Sequence, residues 1–163
     1  MRFSTNYATH IPAILKATEA TDGDILELGM GVFSTPLLHY ISLLSKRYLV
    51  SYDNDPGWIS WADRYPSQYH DIILVNDWDK INIEKPWDVV LVDHSPDIRR
   101  KEEVKRLANF GKYIIIHDSN RRFNTRYKYS EIYSLFKYRQ VCTFLDRHAD
   151  ILSNFVDLED FWK

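Results

Sequence analysis

The sequence feature that most constrains the fold is the stretch DILELGMGVFSTPLL near the N-terminus. Its first half, residues 25–28, is a short apolar run that is typical of a buried strand. Gly29 and Gly31 follow at once, and glycine both tolerates positive φ and lets the backbone approach a ligand closely. A helix is predicted to start at Ser34 or Thr35, whose hydroxyls can cap it. A strand, a glycine turn and a helix start together predict a nucleotide-type binding site at the edge of a parallel sheet.

The residues around the two glycines indicate which nucleotide fits. A dinucleotide fingerprint has a third glycine where this chain has Ser34. We expect Glu27, at the strand end, to face the same crevice, where a carboxylate repels a pyrophosphate and suits a cationic ligand. The pattern Glu-x-Gly-x-Gly resembles motif I of class I S-adenosylmethionine-dependent methyltransferases. That resemblance implies S-adenosylmethionine as the cofactor, with Glu27, Gly29, Gly31, Ser34 and Thr35 at its methionine half; a glycine turn without a ligand is the alternative.

Composition limits the remaining possibilities. The 163 residues suffice for one domain, predicted to span 1–163. The net charge of -2 gives no general attraction to nucleic acid, and no apolar run approaches the roughly 18 residues of a membrane span. The N-terminus lacks a signal-peptide pattern, and the single cysteine, Cys142, excludes an internal disulfide. A cytoplasmic location is therefore predicted.

Alternation of strands and helices predicts a parallel sheet with helices on both faces. The last two strands are joined only by residues 146–149, which is too short for a parallel crossover and predicts an antiparallel hairpin. This pattern resembles the methyltransferase sheet: an α/β, three-layer Rossmann-like sandwich whose mostly parallel seven-stranded sheet ends in a hairpin. The predicted helices are 10–20, 35–45, 58–64, 97–110 and 127–136, and the strands after the first are 47–52, 71–75, 87–92, 112–116, 138–145 and 150–158.

The connection between strands three and four is unusually short. Residues 76–86 hardly accommodate a crossover helix, so this side of the sheet is predicted to be thinly covered. The chain also lacks an insertion large enough for a lid domain, although sites of this kind need shielding from water. We therefore expect a homo-oligomer in which a neighbouring subunit helps to cover the site.

Carboxylates follow the strands at the edge where an open α/β sheet binds its ligand. Asp53 lies roughly 20 residues beyond the glycine turn, near the spacing at which a carboxylate receives ribose hydroxyls. The resemblance carries the ribose role onto Asp53, with its neighbours Asn54 and Asp55 beside the adenine. It also implies that Asp77 accepts a hydrogen bond from the adenine amino group and that Trp78 offers a stacking face. The alternatives are a turn-forming role for Asp53 and a hydrophobic plug for Trp78.

Strands four and five end on the residues with the most chemistry. Asp93 stands where the methyltransferase family places groups near the methionine amino end and the reacting centre. The sequence LVDHSP is similar to an Asp-Gly-Pro-type sequence in a subset of small methyltransferases, with His94 in the glycine position. His94 is a candidate general base because histidine is the side chain best suited to exchange a proton near neutral pH, and a hydrogen-bonded loop residue is the alternative. His117 and Asp118, after strand five, are the other catalytic candidates.

A metal site is the weaker interpretation of the same residues. Asp93, Asp118 and Asn120 would resemble the magnesium site of catechol-type O-methyltransferases, but Ser119 interrupts the expected Asp-Asn pair. We therefore assign no metal ligand and do not expect dependence on a divalent metal. For His10, a role at the start of the first helix is favoured over an approach to the site.

The sequence therefore predicts an enzyme, a methyltransferase that uses S-adenosylmethionine on a small-molecule acceptor. A non-catalytic S-adenosylmethionine-binding module and an NAD(P)-binding Rossmann protein are the alternatives. The basic and aromatic residues of 121–139 suit nucleic acid or an anionic substrate, but the near-neutral charge makes nucleic acid an unexpected partner. A membrane is not expected either, and the basic residues of helix 97–110 are interpreted as an ordinary charged surface.

Overall fold

A mixed sheet of seven strands forms the centre of the molecule. The computed structural model describes residues 4–144 and 146–163. The strand order is β3-β2-β1-β4-β5-β7-β6, with parallel pairs from β3 through to β5 and with β7 antiparallel to both β5 and β6. The predicted α/β fold with its closing hairpin is confirmed. The strands are β1 (Ile25–Leu28), β2 (Leu49–Asp53), β3 (His70–Leu74), β4 (Trp87–Val92), β5 (Gly111–His117), β6 (Tyr138–Cys142) and β7 (Ala149–Ser153).

Helices cover both faces of this sheet. The α-helices are α1 (Ile11–Glu19), α2 (Ser34–Ser45), α3 (Pro56–Ala62), α4 (Arg100–Leu107) and α5 (Asn124–Tyr127). Single turns of 3-10 helix lie at Thr5–Tyr7, Trp78–Lys80, Asp97–Arg99, Arg121–Phe123, Tyr129–Glu131 and Tyr133–Leu135. Among the described residues, none of these helices is both long enough and apolar enough to cross a membrane.

Two hydrophobic cores follow from the period-two alternation of strand side chains. In β4, Val90 and Val92 pack on the side of α4, whereas Val89 and Leu91 pack on the side of α1 and α2. The neighbouring strands alternate in the same way, so the central strands are buried on both faces. This burial explains why they read as continuous apolar runs.

The predicted helix 127–136 is wrong. In its place the chain makes α5 and two single 3-10 turns, because Lys128 adopts a left-handed conformation with a φ of 54°. Asn124 closes this bend: its Nδ2 donates to Ser130 Oγ at 2.7 Å, and its Oδ1 accepts from the Ser130 amide at 2.8 Å. The bend buries Tyr129.

The connection between β3 and β4 is as thin as the sequence predicts. It contains the turn Trp78–Lys80 and no α-helix, and Trp78 and Ile83 plug the core beneath it. Ile73 and Leu74, on the edge strand β3, remain 37% and 41% exposed. The fold leaves this apolar edge open, and the homo-oligomer stays a prediction.

Gly29 provides the sharpest test of the glycine turn. Its φ is +94°, and an added Cβ would lie 2.4 Å from the amide nitrogen of His94 and 2.5 Å from the carbonyl carbon of Asp93. We expect Gly29→Ala to lower the free energy of unfolding by roughly 3 kcal/mol or more, because backbone strain adds to a backbone clash. Chemical denaturation measures this change. The matched control is Gly31→Ala, whose Cβ would meet its nearest neighbour, Ser34 Oγ, at 3.5 Å; equal stability of the two variants would contradict the prediction.

Candidate active site

A pocket of about 540 Å³ opens beyond the carboxyl ends of β1, β4 and β5. β1 and β4 are neighbours in the sheet although β2 and β3 lie between them in sequence, so the pocket is at the topological switch point. Residues 30–34 of the glycine turn form one side. Asp93, His117 and Asp118 lie at the strand ends on the other side. The structure thus brings the predicted motif together with the predicted catalytic edge.

Several pocket residues are not apparent from sequence. Tyr7 comes from the N-terminal turn, Trp58 from the first part of α3, and Arg147 from the connection between β6 and β7. Arg147 places its guanidinium within 5.3 Å of the Tyr7 ring and 5.2 Å of the Phe123 ring. Trp58 follows the pair Pro56-Gly57 at the start of α3, which is a weak sequence signal of a turn. Tyr7 and Arg147 have no such sequence signal, because only the tertiary structure brings them to the pocket.

The glycine turn is held by hydrogen bonds from its own backbone. The amide of Met30 donates to Asp53 Oδ2 at 2.7 Å, which ties the turn to β2. The amide of Gly31 donates to Thr35 Oγ1 at 3.0 Å. The expected capping of α2 by Ser34 or Thr35 is wrong: the N-cap is Phe33, with no side-chain cap bond, and Thr35 instead fixes the turn that precedes the helix.

Glu27 lies beneath α2 and does not line the pocket, contrary to the expectation that it faces the crevice. Its side chain is fully buried and accepts hydrogen bonds from Thr35 Oγ1 at 2.9 Å and Ser51 Oγ at 2.5 Å. Burial raises the pKa of Glu27 to about 7, although hydroxyl donors that include Ser34 oppose the shift. Ser51 is also 2.9 Å from Nε2 of His70, so Glu27 belongs to a buried polar cluster.

Asp93 and His117 form the charged centre of the pocket. His117 Nδ1 lies 3.1 Å from Asp93 Oδ1, and Nη1 of Arg100 lies 2.8 Å from the same oxygen. Burial works against both charged forms. The attraction of His117 and Arg100 nevertheless holds the pKa of Asp93 well below its usual range, and Asp93 raises the pKa of His117. The pair therefore carries a fixed negative charge with a basic imidazole beside it.

Asp118 is held in place by two partners. Tyr127 donates its hydroxyl to Oδ2 at 3.0 Å, and Arg147 Nη1 lies 2.9 Å and 3.0 Å from the two carboxylate oxygens. Its φ of 58° is left-handed, which is uncommon for a residue other than glycine. This conformation turns the chain at the end of β5 and leaves Asp118 on the pocket wall beside His117.

His10 reaches the pocket instead of capping α1, contrary to expectation. It is the N-cap residue of α1 but makes no side-chain cap hydrogen bond. Its ring meets the ring of His117 edge to face, with centroids 5.1 Å apart. Neither ring nitrogen has a hydrogen-bond partner within residues 4–144 and 146–163, although the residue is only 2% exposed. Burial, with the nearby His117, lowers the pKa of His10 to about 4, so the ring is neutral at neutral pH.

Known proteins resemble this chain in structure only. No protein-family profile and no curated protein matches the sequence. The N-terminal domain of human METTL16, solved with S-adenosylhomocysteine, superposes with a TM-score of 0.66 at 11% identity, over 96% of this chain and 73% of that one. Human methyltransferase-like protein 13, also with S-adenosylhomocysteine, gives 0.66 at 13% identity, over 93% and 84%. The N-methyltransferase NodS from Bradyrhizobium japonicum WM9 gives 0.61 at 10% identity, over 88% and 91%.

The chain has the class I methyltransferase fold. Its mostly parallel sheet of seven strands with an antiparallel closing hairpin is the one that the sequence resemblance implied. In this fold the pocket lies against the glycine turn of β1, which the sequence singled out as motif I.

Two predicted site residues take core positions in this methyltransferase fold. Trp78 is 5% exposed, and one face of its indole stacks on His94 with ring centroids 4.1 Å apart. The Nε2 of His94 lies 3.1 Å from Glu103 Oε2, and both side chains are fully buried. His94 as general base is therefore wrong, because its imidazole points into the core, and the face that Trp78 was expected to offer is covered.

The predicted adenosine residues lie at the ends of β2 and β3, outside the pocket lining. Asp53 is only 4% exposed and is bonded to the glycine turn, whereas Asn54 is exposed. Asp77 accepts from the Asp79 amide at 3.0 Å and pairs with Lys80 at 3.1 Å. Asp53 and Asp77 are bonded to other groups of the protein, and Asn54 is exposed, so the cofactor contacts of these three residues stay predictions.

The charged surface predicted for helix 97–110 needs one correction. Arg100 is only 7% exposed and belongs to the site. Its Nε donates to the carbonyl of His94 and its Nη2 to the carbonyl of Asp93, each at 2.8 Å. The sequence pattern does not reveal the burial of Arg100, because Arg100 lies in the continuous run of charged residues 99–103.

The oxygen-rich cation set considered from sequence does not assemble. Asn120 Oδ1 accepts from the His148 amide at 2.6 Å, and its Nδ2 donates to the Asp146 carbonyl at 2.9 Å. Ser119 donates to Asp150 Oδ1 at 2.7 Å. Both side chains are therefore bonded to the closing hairpin and its connection, not to Asp93.

The buried carboxyl of Glu27 predicts a pH dependence of stability. Its folded pKa of about 7 exceeds the ordinary value of 4.5, so between these pH values the folded chain holds a proton that the unfolded chain has lost. Stability from this group is fully present below about pH 4.5 and is lost as pH rises through 7. Glu27→Gln removes this loss, and by the energy of a pKa shift it should gain up to roughly 3 kcal/mol over the wild type between pH 4.5 and pH 8.

Urea denaturation at pH 5 and pH 8 measures the difference. The control is Glu19→Gln, an exposed carboxyl at the end of α1. Its stability should follow the wild type at both pH values. If Glu27→Gln also follows the wild type, Glu27 titrates normally and the interpretation is wrong.

Proposed function

We propose that this protein binds S-adenosylmethionine and transfers its methyl group to a small-molecule acceptor. The observation that carries the proposal is a pocket that joins the glycine turn of β1 to the charged edge at Asp93 and His117. The fold supports it, since METTL16 and methyltransferase-like protein 13 have the same fold and were solved with S-adenosylhomocysteine. We treat residues 1–163 as one such domain.

The carboxylate of Asp93 is the pocket group that suits a cationic donor. Asp93 stays ionised because Arg100 and His117 depress its pKa, and a carboxylate attracts the ammonium and sulfonium groups of the cofactor. At Gly31 there is open space where a side chain would otherwise project, so a ligand can lie against the backbone. In our proposal the adenosine half extends toward Asp53, Asn54 and Asp77 at the neighbouring strand ends.

Methyl transfer makes modest demands on such a site. The acceptor forms a bond to the methyl carbon as the carbon–sulfur bond breaks, and that electron pair stays on sulfur, which leaves S-adenosylhomocysteine. The sulfonium already activates the methyl group, so the protein mainly holds donor and acceptor in line. An acceptor that loses a proton needs a group to receive it.

Of the three catalytic candidates, one remains at the reacting end. His117 lines the pocket and contacts Asp93, and we propose that it faces the acceptor. Asp118 positions its neighbours, because Tyr127 and Arg147 already occupy its carboxylate. His94 has no catalytic role in this proposal, because its ring lies in the core.

The basic stretch 121–139 gives little support to nucleic acid as the partner. Arg126 pairs with Asp97 at 2.5 Å. Arg139 pairs with Asp150 at 2.7 Å and lies 3.6 Å over the ring of Tyr133. These two cations have partners within the protein, whereas Arg121, Arg122, Lys128 and Lys137 are exposed. The preference for a small acceptor therefore also rests on the near-neutral net charge.

The first test is calorimetric titration with S-adenosylmethionine, S-adenosylhomocysteine and NADH. We expect the two adenosyl ligands to bind and NADH not to. Gly31→Ala should keep wild-type stability but weaken both adenosyl ligands at least about 10-fold, since a single clash or lost contact readily costs 1.4 kcal/mol. Leu44→Ala, at an exposed position of α2, is the control with unchanged affinity. Absence of binding at millimolar ligand would overturn the proposal, and binding of NADH alone would favour a dinucleotide-binding protein.

The second test concerns the ribose contact. Asp53→Asn exchanges a charged acceptor for a neutral one and should weaken S-adenosylhomocysteine about 10-fold, because hydrogen bonds to charged groups contribute roughly 1.5–3 kcal/mol. Asp63→Asn is the matched control: Asp63 is an exposed aspartate at the C-terminal end of α3, and its replacement should leave the affinity unchanged. Equal affinity of the two variants would mean that the ribose lies elsewhere.

A further inference from the structure

We propose that His10, Asp93 and His117 bind one divalent transition-metal ion at the floor of the pocket. One ligand atom from each residue lies within 4.8 Å of the other two. These three residues come from the start of α1 and from the ends of β4 and β5, so only the fold brings them together. They are a different set from the oxygen ligands considered from sequence.

The distances fit a shared ion. His117 Nδ1 and Asp93 Oδ1 are 3.1 Å apart, and neighbouring ligands on a zinc ion at about 2.0–2.1 Å have roughly this separation. Ligands on opposite sides of such an ion are at most about 4.2 Å apart. The three ligand atoms lie within 4.8 Å of one another, so only a small side-chain movement is needed for them to bind one ion. Within the described residues, the His10 ring has no hydrogen bond that would oppose this movement.

His10 is the independent observation that points to a ligand. A buried polar group without a partner costs about 1–3 kcal/mol. Its imidazole is 2% exposed, lines the pocket and has no hydrogen-bond partner for either nitrogen in the described part of the chain. A metal ion bound at one of these nitrogens would remove part of that cost.

The surroundings resemble those of known metal ligands. In the metal-bound state the Nε2–H of His117 would donate to the carbonyl oxygen of Asn6, 3.3 Å away, which leaves Nδ1 as the atom that binds the ion. Arg100 bonds the Asp93 carboxylate and the main chain behind it, as outer partners of ligating carboxylates do. The positive charges of Arg100 and Arg147 also repel a cation, so we expect micromolar and not nanomolar affinity.

Two imidazoles and one carboxylate select the class of ion. Zinc, iron, cobalt and nickel accept imidazole readily, whereas magnesium and calcium prefer oxygen ligands. With three protein ligands, the ion would keep positions for water or an acceptor heteroatom. That use of the ion rests on the proposed methyl transfer, but the metal site itself does not.

The test is titration of the chelator-treated full chain with cobalt(II), zinc(II) and magnesium chloride in turn, in the absence of S-adenosylmethionine. We expect one ion per chain and visible cobalt d–d absorption. His10→Ala and the better space-filling His10→Asn should each raise the dissociation constant more than about 100-fold, beyond the roughly 10–100-fold loss typical of an outer-shell contact. His148→Ala, in the connection between β6 and β7, is the control and should bind as the wild type does.

Each outcome of this titration decides the proposal. Retained affinity in both His10 variants, loss of binding in His148→Ala, or preference for magnesium would overturn it, as would the lack of a bound ion. Near-UV circular dichroism of each variant shows that it is folded. Since no cofactor is present, failure of the metal site leaves the proposed methyl transfer standing, and failure of cofactor binding leaves the metal site standing.

Discussion

The close approach of Gly29 to the backbone of residues 93–94 is the contact on which the site depends. β1 and β4 are adjacent parallel strands, and their chains diverge immediately beyond this contact. One continues into the glycine turn and α2, and the other reaches Arg100 and α4. The pocket is the space between these two paths. A side chain at position 29 would separate the motif from Asp93, so the lack of a side chain at this glycine serves the site as well as the packing of β1 against β4.

A polar layer under α2 supports the same turn from the other side. Glu27, Ser51 and His70 occupy positions on the face of the sheet that is otherwise apolar, and His39 of α2 completes the chain with its Nδ1 3.2 Å from that of His70. Such a cluster is more demanding than hydrophobic packing, because each buried group needs its partner. The benefit of this cluster is that its hydrogen bonds fix the relative orientation of the elements that they join. Thr35 bonds both Glu27 and the Gly31 amide, so the turn, the helix and the strand adopt one relative orientation.

Sequence predicts the parts of this molecule that depend on local pattern. The strand Trp87–Val92 and the start of α2 at Ser34 follow from apolar runs and turn residues, and the hairpin follows from a connection too short to cross the sheet. Side-chain direction is harder. Asp93 and His94 are adjacent in sequence, yet one lines the pocket and the other stacks on Trp78 in the core, because consecutive residues leaving a strand point to opposite sides. Arg147 reaches the pocket from a distant turn, which no local pattern can indicate.

The charged side chains of the pocket are paired with one another, whereas the His10 ring has no hydrogen-bond partner among the described residues. Asp93 has Arg100 and His117, and Asp118 has Arg147 and Tyr127, so each carboxylate meets a cation or a donor. Among the described pocket residues, His10 alone has two buried ring nitrogens without a hydrogen-bond partner. The carboxylates of this pocket all have partners, so the burial of this unpaired imidazole is unfavourable unless a ligand binds to it. The unpaired ring lies against His117 and lines the same pocket as the glycine turn, so an ion or acceptor bound by this ring would share the pocket with a donor that lies along the turn.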